Sequence, residues 1–322
     1  MFWMIGAGSM ARDYIDVLTD MGVDFITVGR SQLNCDTLSL EKRIDVISGG
    51  LDLYLSQAPE LPDAAIVAVD VEDLYGVAVS LLNFGVKRIL LEKPGGIDFF
   101  EINALEAFAS KVGAQVFIAY NRRFYSSVIE AKKIIAADGG VKSFHFEFTE
   151  WSDSIALLPK SESCKSNWFL ANSSHVVDLA FYIGGKPKKM HSFVQGLGEV
   201  EWYDKNARFS GSGVSDLGAT FSYCANWDAP GRWSLEFMTP RNRLIFRPME
   251  SLHIQNRNSV VENRIEIDDH LDQKYKPGLY NQVTKFLADE HCEALLEIQD
   301  LVSMNSYYDA ILLGGEISCG SQ

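Results

Sequence analysis

The sequence predicts an α/β protein: a doubly wound parallel sheet at the N-terminus, followed by an α+β domain with a large, open-faced, mostly antiparallel sheet. Three observations carry this. Short apolar runs alternate with helical patterns as far as residue 120. A glycine turn follows the first run at once. The text then changes to strand-like alternation with Gly, Asn and Asp turn signals from about Lys188 to Ile267.

The elements follow in order. Phe2 to Ile5 reads as a strand, and the helix behind it places Met10, Tyr14, Val17, Leu18 and Met21 at helical spacing. Phe25–Val28 is a second strand and Asp45–Ile47 a third. Ala64 to Val69 is a continuous apolar run, as expected of a strand buried on both faces. Leu74–Phe84 is helical, Arg88–Leu91 a strand, and Phe99–Val112 a helix through Phe99, Ile102, Leu105, Phe108, Ala109 and Val112. Gln115–Ala119 closes the series, and such alternation implies right-handed crossovers. The boundary is expected near Tyr120, giving domains 1–120 and 121–322. Beyond it, Val128–Ala136 is helical, and Phe144, Phe146 and Phe148 alternate with polar residues as in a half-buried strand. Gly211-Ser212-Gly213 and Arg241-Asn242 are turn signals. Two helices end the chain, one through Leu279, Val283, Phe286 and Leu287, the other over about Leu295–Leu313.

The 322 residues hold enough apolar material, 47%, for two cores. A net charge of −14 argues against a nucleic-acid partner. No apolar stretch approaches membrane-spanning length. Cys35, Cys164, Cys224, Cys292 and Cys319 are scattered, with no CxxC pair, so a disulfide framework or metal site is not expected. Reduced thiols and the absence of a secretory signal pattern point to the cytoplasm. An open antiparallel face must be covered, so a homo-oligomer, dimer or tetramer, is expected.

The chemistry begins at Gly6-Ala7-Gly8-Ser9-Met10-Ala11, a G-x-G-x-x-A turn between a strand and a helix. Gly6 permits the tight turn, Gly8 lets a pyrophosphate approach the backbone, and Ala11 keeps helix and strand close, the fingerprint of a dinucleotide-binding Rossmann domain. The helix N-terminus, with Ser9 and Met10, offers N–H groups and a positive dipole end. The second strand ends in Val28-Gly29-Arg30-Ser31 without the acid that NAD-selective sites place there. Arg30 and Ser31 suit a 2′-phosphate, which favours NADP(H), with NAD(H) the alternative.

Strand Ile89–Leu91 runs into Glu92-Lys93-Pro94-Gly95-Gly96, a turn that presents Lys93 at the ligand end of the sheet. Asn172-Ser173-Ser174-His175-Val176-Val177-Asp178 leads into a helix ending at Gly184-Gly185; one of the first three is expected as N-cap, and His175 and Asp178 share a face. His145, His191, His253, His270 and His291 are read as structural. Trp168, just before the His helix, is the best placed tryptophan to stack on a sugar, against the commoner fate of core packing. Lys165 and Arg123 are candidates for an anionic substituent, against the commoner solvated role.

In this order and spacing, the Gly6–Ala11 turn, the Ile66–Asp70 strand end, Glu92-Lys93-Pro94 and the His175-x-x-Asp178 helix resemble the Gfo/Idh/MocA family of oxidoreductases. The resemblance spans essentially the whole chain. It implies a nicotinamide cofactor held by the glycine turn, Val69, Asp70, Glu92, Lys93 and Pro94, and hydride exchange with a secondary alcohol or ketone of a sugar, polyol or derivative. It implies that Lys93 orients or polarises the reacting oxygen, that His175 is the general acid/base, that Asp178 orients His175, and that Asn121 and Arg122 line the substrate pocket. One departure stands out. The family commonly carries Asp four residues before the His, and this chain has Ala171. Asn172 can replace it as a hydrogen-bonding neighbour but not as a base. Ala171 also supports the alternative of a non-catalytic nicotinamide- or sugar-binding regulator that keeps the fold.

Overall fold

The computed structural model describes residues 1–288 and 290–318, so Cys319 lies outside the described residues. The chain forms two compact units. One comprises Met1–Asn121 and Leu271–Ser303; the other comprises Arg122–His270 and the chain from Met304 onward. The expected domain 121–322 is therefore interrupted, because residues 271–303 return to the first unit.

In chain order the first stretch holds β1 (Phe2–Ile5), α1 (Ser9–Asp20), β2 (Phe25–Val28), α2 (Gln32–Lys42), β3 (Val46–Ile47), α3 (Leu51–Leu55), β4 (Ala64–Val67), α4 (Val71–Phe84), β5 (Arg88–Glu92), α5 (Phe99–Val112) and β6 (Gln115–Ala119). Then follow α6 (Ser126–Asp138), β7 (Ser143–Glu147), α7 (Ser152–Ala156), α8 (Glu162–Ser166) and α9 (Ser174–Gly184). Seven strands come next: β8 (Pro187–Leu197), β9 (Asn206–Ser215), β10 (Thr220–Asn226), β11 (Ser234–Met238), β12 (Asn242–Phe246), β13 (His253–Asn256) and β14 (Glu262–Arg264). The chain continues through α10 (His270–Lys274), α11 (Leu279–Leu287), β15 (Leu296–Glu297), α12 (Ile298–Ser303), α13 (Asn305–Leu313) and β16 (Gly315–Ser318).

Among the described residues, the first unit is built on a seven-stranded sheet of order β15-β6-β5-β4-β1-β2-β3. Strands β1 to β6 pair in parallel in the doubly wound order, which places the ligand crevice beyond the C-terminal ends of the central strands. β4 is buried at every position, as its unbroken apolar run requires. Helix α1 turns Ala11, Tyr14, Ile15, Val17 and Leu18 inward. The expected single helix over Leu295–Leu313 is instead β15, α12 and α13. Leu296 and Glu297 pair antiparallel with Ile118 and Phe117, and this edge pairing, invisible to local periodicity, ends any helix before Ile298.

The second unit carries a nine-stranded sheet of order β14-β13-β12-β11-β7-β10-β9-β8-β16. All its pairs are antiparallel except β7 with β10. β16 is an edge strand that the sequence reading missed. The inner face is aromatic: Phe144 stacks on Phe221 at 5.2 Å and on Phe237 at 5.8 Å, with Phe181 of α9 edge-on.

The expected turn at Gly211-Ser212-Gly213 lies inside β9. The glycines are there for room: a Cβ on Gly211 would sit 2.4 Å from the Tyr223 hydroxyl oxygen, and one on Gly213 would sit 2.1 Å from the Lys189 carbonyl oxygen. The Arg241-Asn242 signal does mark a turn, between β11 and β12. No described helix is long and apolar enough to cross a membrane.

Candidate active site

The first unit presents the glycine turn at the end of β1. Gly6 has φ +130°, and a Cβ there would lie 2.1 Å from the carbonyl oxygen of Ala68 at the end of neighbouring β4, so only glycine fits. Gly8 precedes α1 in extended backbone, and nothing lies within 4 Å of where its Cβ would be. No side chain caps α1 and no acid occupies its first turn. Ser9 is exposed, Met10 half-buried and Ala11 fully buried. The turn is thus an uncovered helix N-terminus with positive dipole end, the geometry that receives a phosphate. Asp70 stands at the N-cap of α4, with Val69 half-buried before it.

Arg30 and Ser31 lie beyond β2. Ser31 caps α2, its hydroxyl accepting from the Asn34 N–H at 3.5 Å. Arg30 extends into solvent and pairs with Asp73 of α4 at 2.9 Å. The sequence showed no acid after β2, yet the fold brings one to Arg30 from another element. An exposed pair of this kind contributes only ~0–1 kcal/mol, so Asp73 does not lock the guanidinium away from a stronger anion.

At the end of β5 the Gly95 N–H donates to the Glu92 carbonyl at 3.1 Å, closing the turn that carries Lys93 and Pro94. Pro94 is buried and Lys93 half-buried. Gly95 packs so close to Ile118 that a Cβ would stand 2.7 Å from its Cδ1. The Glu92 carboxylate accepts from the Tyr14 hydroxyl of α1 at 2.8 Å, which ties the lysine turn to the glycine-turn helix. Burial pushes the Glu92 carboxyl above the usual range, against the opposing hydrogen bond from Tyr14 and the charges of Lys93 and Lys276. At the end of β6, the Asn121 amide donates to the Pro277 carbonyl at 2.9 Å, so the expected substrate residue anchors the returning segment.

The second unit carries the His helix. A wider π turn, Phe169–Ser173, runs straight into α9. Ser173 holds the N-cap position of α9, but in helical backbone and with no side-chain cap hydrogen bond, because the helical path begins before it. Ser174 donates back to the Leu170 carbonyl at 2.7 Å. Asn172 and Ser173 both donate to Glu150, at 3.0 and 2.6 Å. Glu150, which the sequence reading did not single out, is 2% exposed. It also faces Arg232 at 3.3 Å. A buried carboxylate thus stands beside the turn where Ala171 replaces the expected Asp, supplied from the segment after β7.

Burial raises the Glu150 carboxyl above its ordinary value of 4.5, with Ser173, Arg232 and Asn172 pulling the other way. The folded chain then holds this proton more tightly than the unfolded chain. The group's contribution to stability is full below pH ~4.5 and is lost as pH rises through the raised value. Glu150→Gln should cancel this slope, so wild type should lose stability relative to the variant as pH rises above ~4.5. Melting curves of both proteins across that range check it; parallel profiles would contradict the burial argument.

His175 is 5% exposed, its ring 6.3 Å from that of Trp233. Arg122 lies 4.8 Å and Arg232 4.4 Å from the Trp233 ring centre, and Arg232 also lies over Trp151 at 4.4 Å. The two oxygens of Asp178 receive Arg123 at 2.6 and 2.8 Å in a buried bidentate pair, with the Tyr182 ring against the guanidinium. Arg123 is accordingly neither solvated nor available to an anionic substituent. Trp168 is buried, edge-on to Trp202 at 5.7 Å, a core position and not an exposed platform for a sugar. Lys165 donates to the Ala156 carbonyl at 2.9 Å. Among the described residues no three His, Cys, Asp or Glu side chains group to hold a metal.

Glu150, Arg232 and Trp233 are the site residues that sequence reasoning missed. The one available signal was the Asp228-Ala229-Pro230-Gly231 turn, which marks a loop at which Arg232 and Trp233 are presented.

No protein-family model matches the sequence, and no curated protein is similar to it in sequence. Solved structures do match the fold over nearly the whole chain. An inositol dehydrogenase homologue from Azotobacter vinelandii, complexed with NADH and myo-inositol, superposes with TM-score 0.74 at 13% identity, covering 99% of this chain and 97% of its own. A UDP-N-acetylglucosamine 3-dehydrogenase from Acidithiobacillus ferrooxidans gives 0.72 at 15% identity, covering 97% and 96%. An NAD-binding oxidoreductase from Klebsiella pneumoniae gives 0.76 at 14% identity, covering 100% and 99%. The chain therefore has the fold of the Gfo/Idh/MocA-type NAD(P)-binding oxidoreductases that its motifs resemble.

Proposed function

We propose that the protein is an NADP(H)-dependent oxidoreductase that moves hydride between the nicotinamide and a secondary alcohol or ketone of a sugar, polyol or sugar derivative. The observation that carries this is the glycine turn. The Ala68 carbonyl fills the space a Cβ on Gly6 would need, Gly8 leaves the approach to the α1 N-terminus open, and no side chain competes for its N–H groups. The residues present therefore fit a dinucleotide. The sugar and polyol dehydrogenases that share the fold support the substrate class.

The cofactor, when bound, supplies the hydride acceptor or donor. The remaining chemistry falls to the chain. Oxidation requires a base for the hydroxyl proton, and His175 is assigned that role; in reduction it returns the proton. Lys93 is assigned to polarise the reacting oxygen with its charge. Val69, Asp70, Glu92 and Pro94 are assigned to hold the cofactor, and Arg122 and Asn172 to contact the substrate. Homo-oligomerisation is assigned to the open face of the second sheet, where β8 leaves Phe193 and Leu197 exposed.

NADP(H) is favoured over NAD(H) because Arg30 and the α2 N-terminus at Ser31 offer a cation and N–H donors to a 2′-phosphate. Fluorescence titrations with NADPH and NADH test this. NADPH should bind more tightly, and Arg30→Ala should remove about 10- to 100-fold of that affinity while leaving NADH unchanged. NADH-favoured binding would reassign Arg30 to its pair with Asp73. Binding of neither nucleotide would end the oxidoreductase reading.

Ala171 favours a second reading, a non-catalytic nicotinamide- or sugar-binding regulator. It predicts saturable cofactor binding with no hydride transfer in either direction across a sugar and keto-sugar screen.

A further inference from the structure

The groups around Trp233 do not balance in charge. Two guanidinium groups, Arg122 and Arg232, lie against this one indole, with His175 near its ring. The carboxylate in contact is Glu150, and it is taken: Arg232 stands 3.3 Å from it, and Asn172 and Ser173 use its remaining lone pairs. Among the described residues Arg122 makes no ion pair, its Nε has no hydrogen-bond partner, and it rests on the faces of Trp233 and Tyr125. Glu250 and Glu150 act on it only through space.

Its sequence neighbour shows what this fold does with an arginine whose role is structural. Arg123 is buried against Asp178 with two short hydrogen bonds. Arg122, one residue away, is given aromatic faces instead. A ring face attracts the cation but leaves the in-plane N–H donors unmet, and a guanidinium cannot shed its charge as a lysine can. Burial acts against the charged form of Arg122, and the nearby Arg232 adds to this. Arg122 is half-buried, and a partly desolvated cation with no carboxylate in ion-pair contact, Glu250 and Glu150 acting only at a distance, is relieved by a ligand that brings one. The group that matches a fork of N–H donors is a carboxylate or a phosphoryl. A neutral sugar hydroxyl can accept a hydrogen bond but cannot neutralise the charge.

We propose that the substrate carries an anionic group, a carboxylate or a phosphoryl, and that Arg122 receives it. The inference rests on the oxidoreductase reading for the word substrate, and on the unmatched charge for the anion. It narrows the class from sugars and polyols to sugar acids and sugar phosphates. Arg232 stays with Glu150.

The test is calorimetric titration of the NADPH-saturated protein with a panel of hexoses, each beside its uronate and its 6-phosphate. At least one anion should bind tenfold or more tightly than its neutral parent, and added salt should weaken that difference. The panel arms tell carboxylate from phosphoryl. Arg122→Gln should erase the preference for the anion over its neutral parent without lowering the melting temperature; Arg122→Lys should keep part of it. Equal binding of anion and parent throughout, or a preference that survives Arg122→Gln, would overturn the proposal. So would an Arg122→Gln protein that melts lower and loses neutral and anionic ligands alike, because Arg122 would then be a stacking element of the core. Hydride transfer followed by cofactor fluorescence separates the two claims. Anion binding without turnover keeps this inference and sinks the dehydrogenase; turnover of neutral sugars without anion preference does the reverse.

Discussion

His175→Ala is expected to lower turnover by about 10²–10⁴-fold, the range that a positioned acid–base group contributes. His175 is 5% exposed at the second turn of a continuous helical path, so its ring is held by packing and not by a mobile loop. A ring so held costs little reorganisation when the hydroxyl proton moves. The loss should fall on kcat, since the imidazole matters most where the proton is in flight. NADPH affinity should not change, because the glycine turn belongs to the other compact unit. The check is steady-state kinetics beside a fluorescence titration of the same preparation. Unchanged turnover per cofactor-loaded enzyme would remove His175 from the reaction and return weight to the non-catalytic reading that Ala171 favours.

Asp178→Asn is expected to cost about 3–5 kcal/mol of stability. The substitution leaves Arg123 buried with its charge unmatched, and breaking one side of a buried pair costs that much. Asparagine keeps the volume, so the effect reads charge and bidentate geometry and not a cavity. Urea unfolding followed by tryptophan fluorescence is the measurement. Five of the six tryptophans, Trp151, Trp168, Trp202, Trp227 and Trp233, lie in the unit that contains the pair, so the signal reports that unit. The double variant Arg123→Met with Asp178→Leu should regain most of the loss, since an apolar pair of similar volume needs no desolvated charge. A loss below about 1 kcal/mol in Asp178→Asn would mean that water reaches Arg123 and that the pair is not the buried lock described above.

What the sequence by itself determined is what short-range periodicity and turn chemistry encode. Phe2–Ile5, Phe25–Val28, Phe99–Val112 and Gln115–Ala119 form the expected elements end to end, because each carries its own apolar period and its own punctuation. The glycine turn and the Lys93 turn were legible for the same reason: a φ of +130° at Gly6 and the close approach at Gly95 are demands that only glycine meets, so the residue itself announces the geometry. Tertiary structure decided the rest. Leu295–Leu313 has a helical period throughout, yet pairing with β6 makes a strand of Leu296 and Glu297. Gly211 and Gly213 look like a turn until the rings of β10 occupy the space their side chains would need. Asp178 stands three residues from His175, and its carboxylate holds Arg123, 55 residues away. Glu150 reaches Ser173 across 23 residues and Arg232 across 82. Charges choose partners by distance and burial in the folded chain, and neither quantity is written in local order.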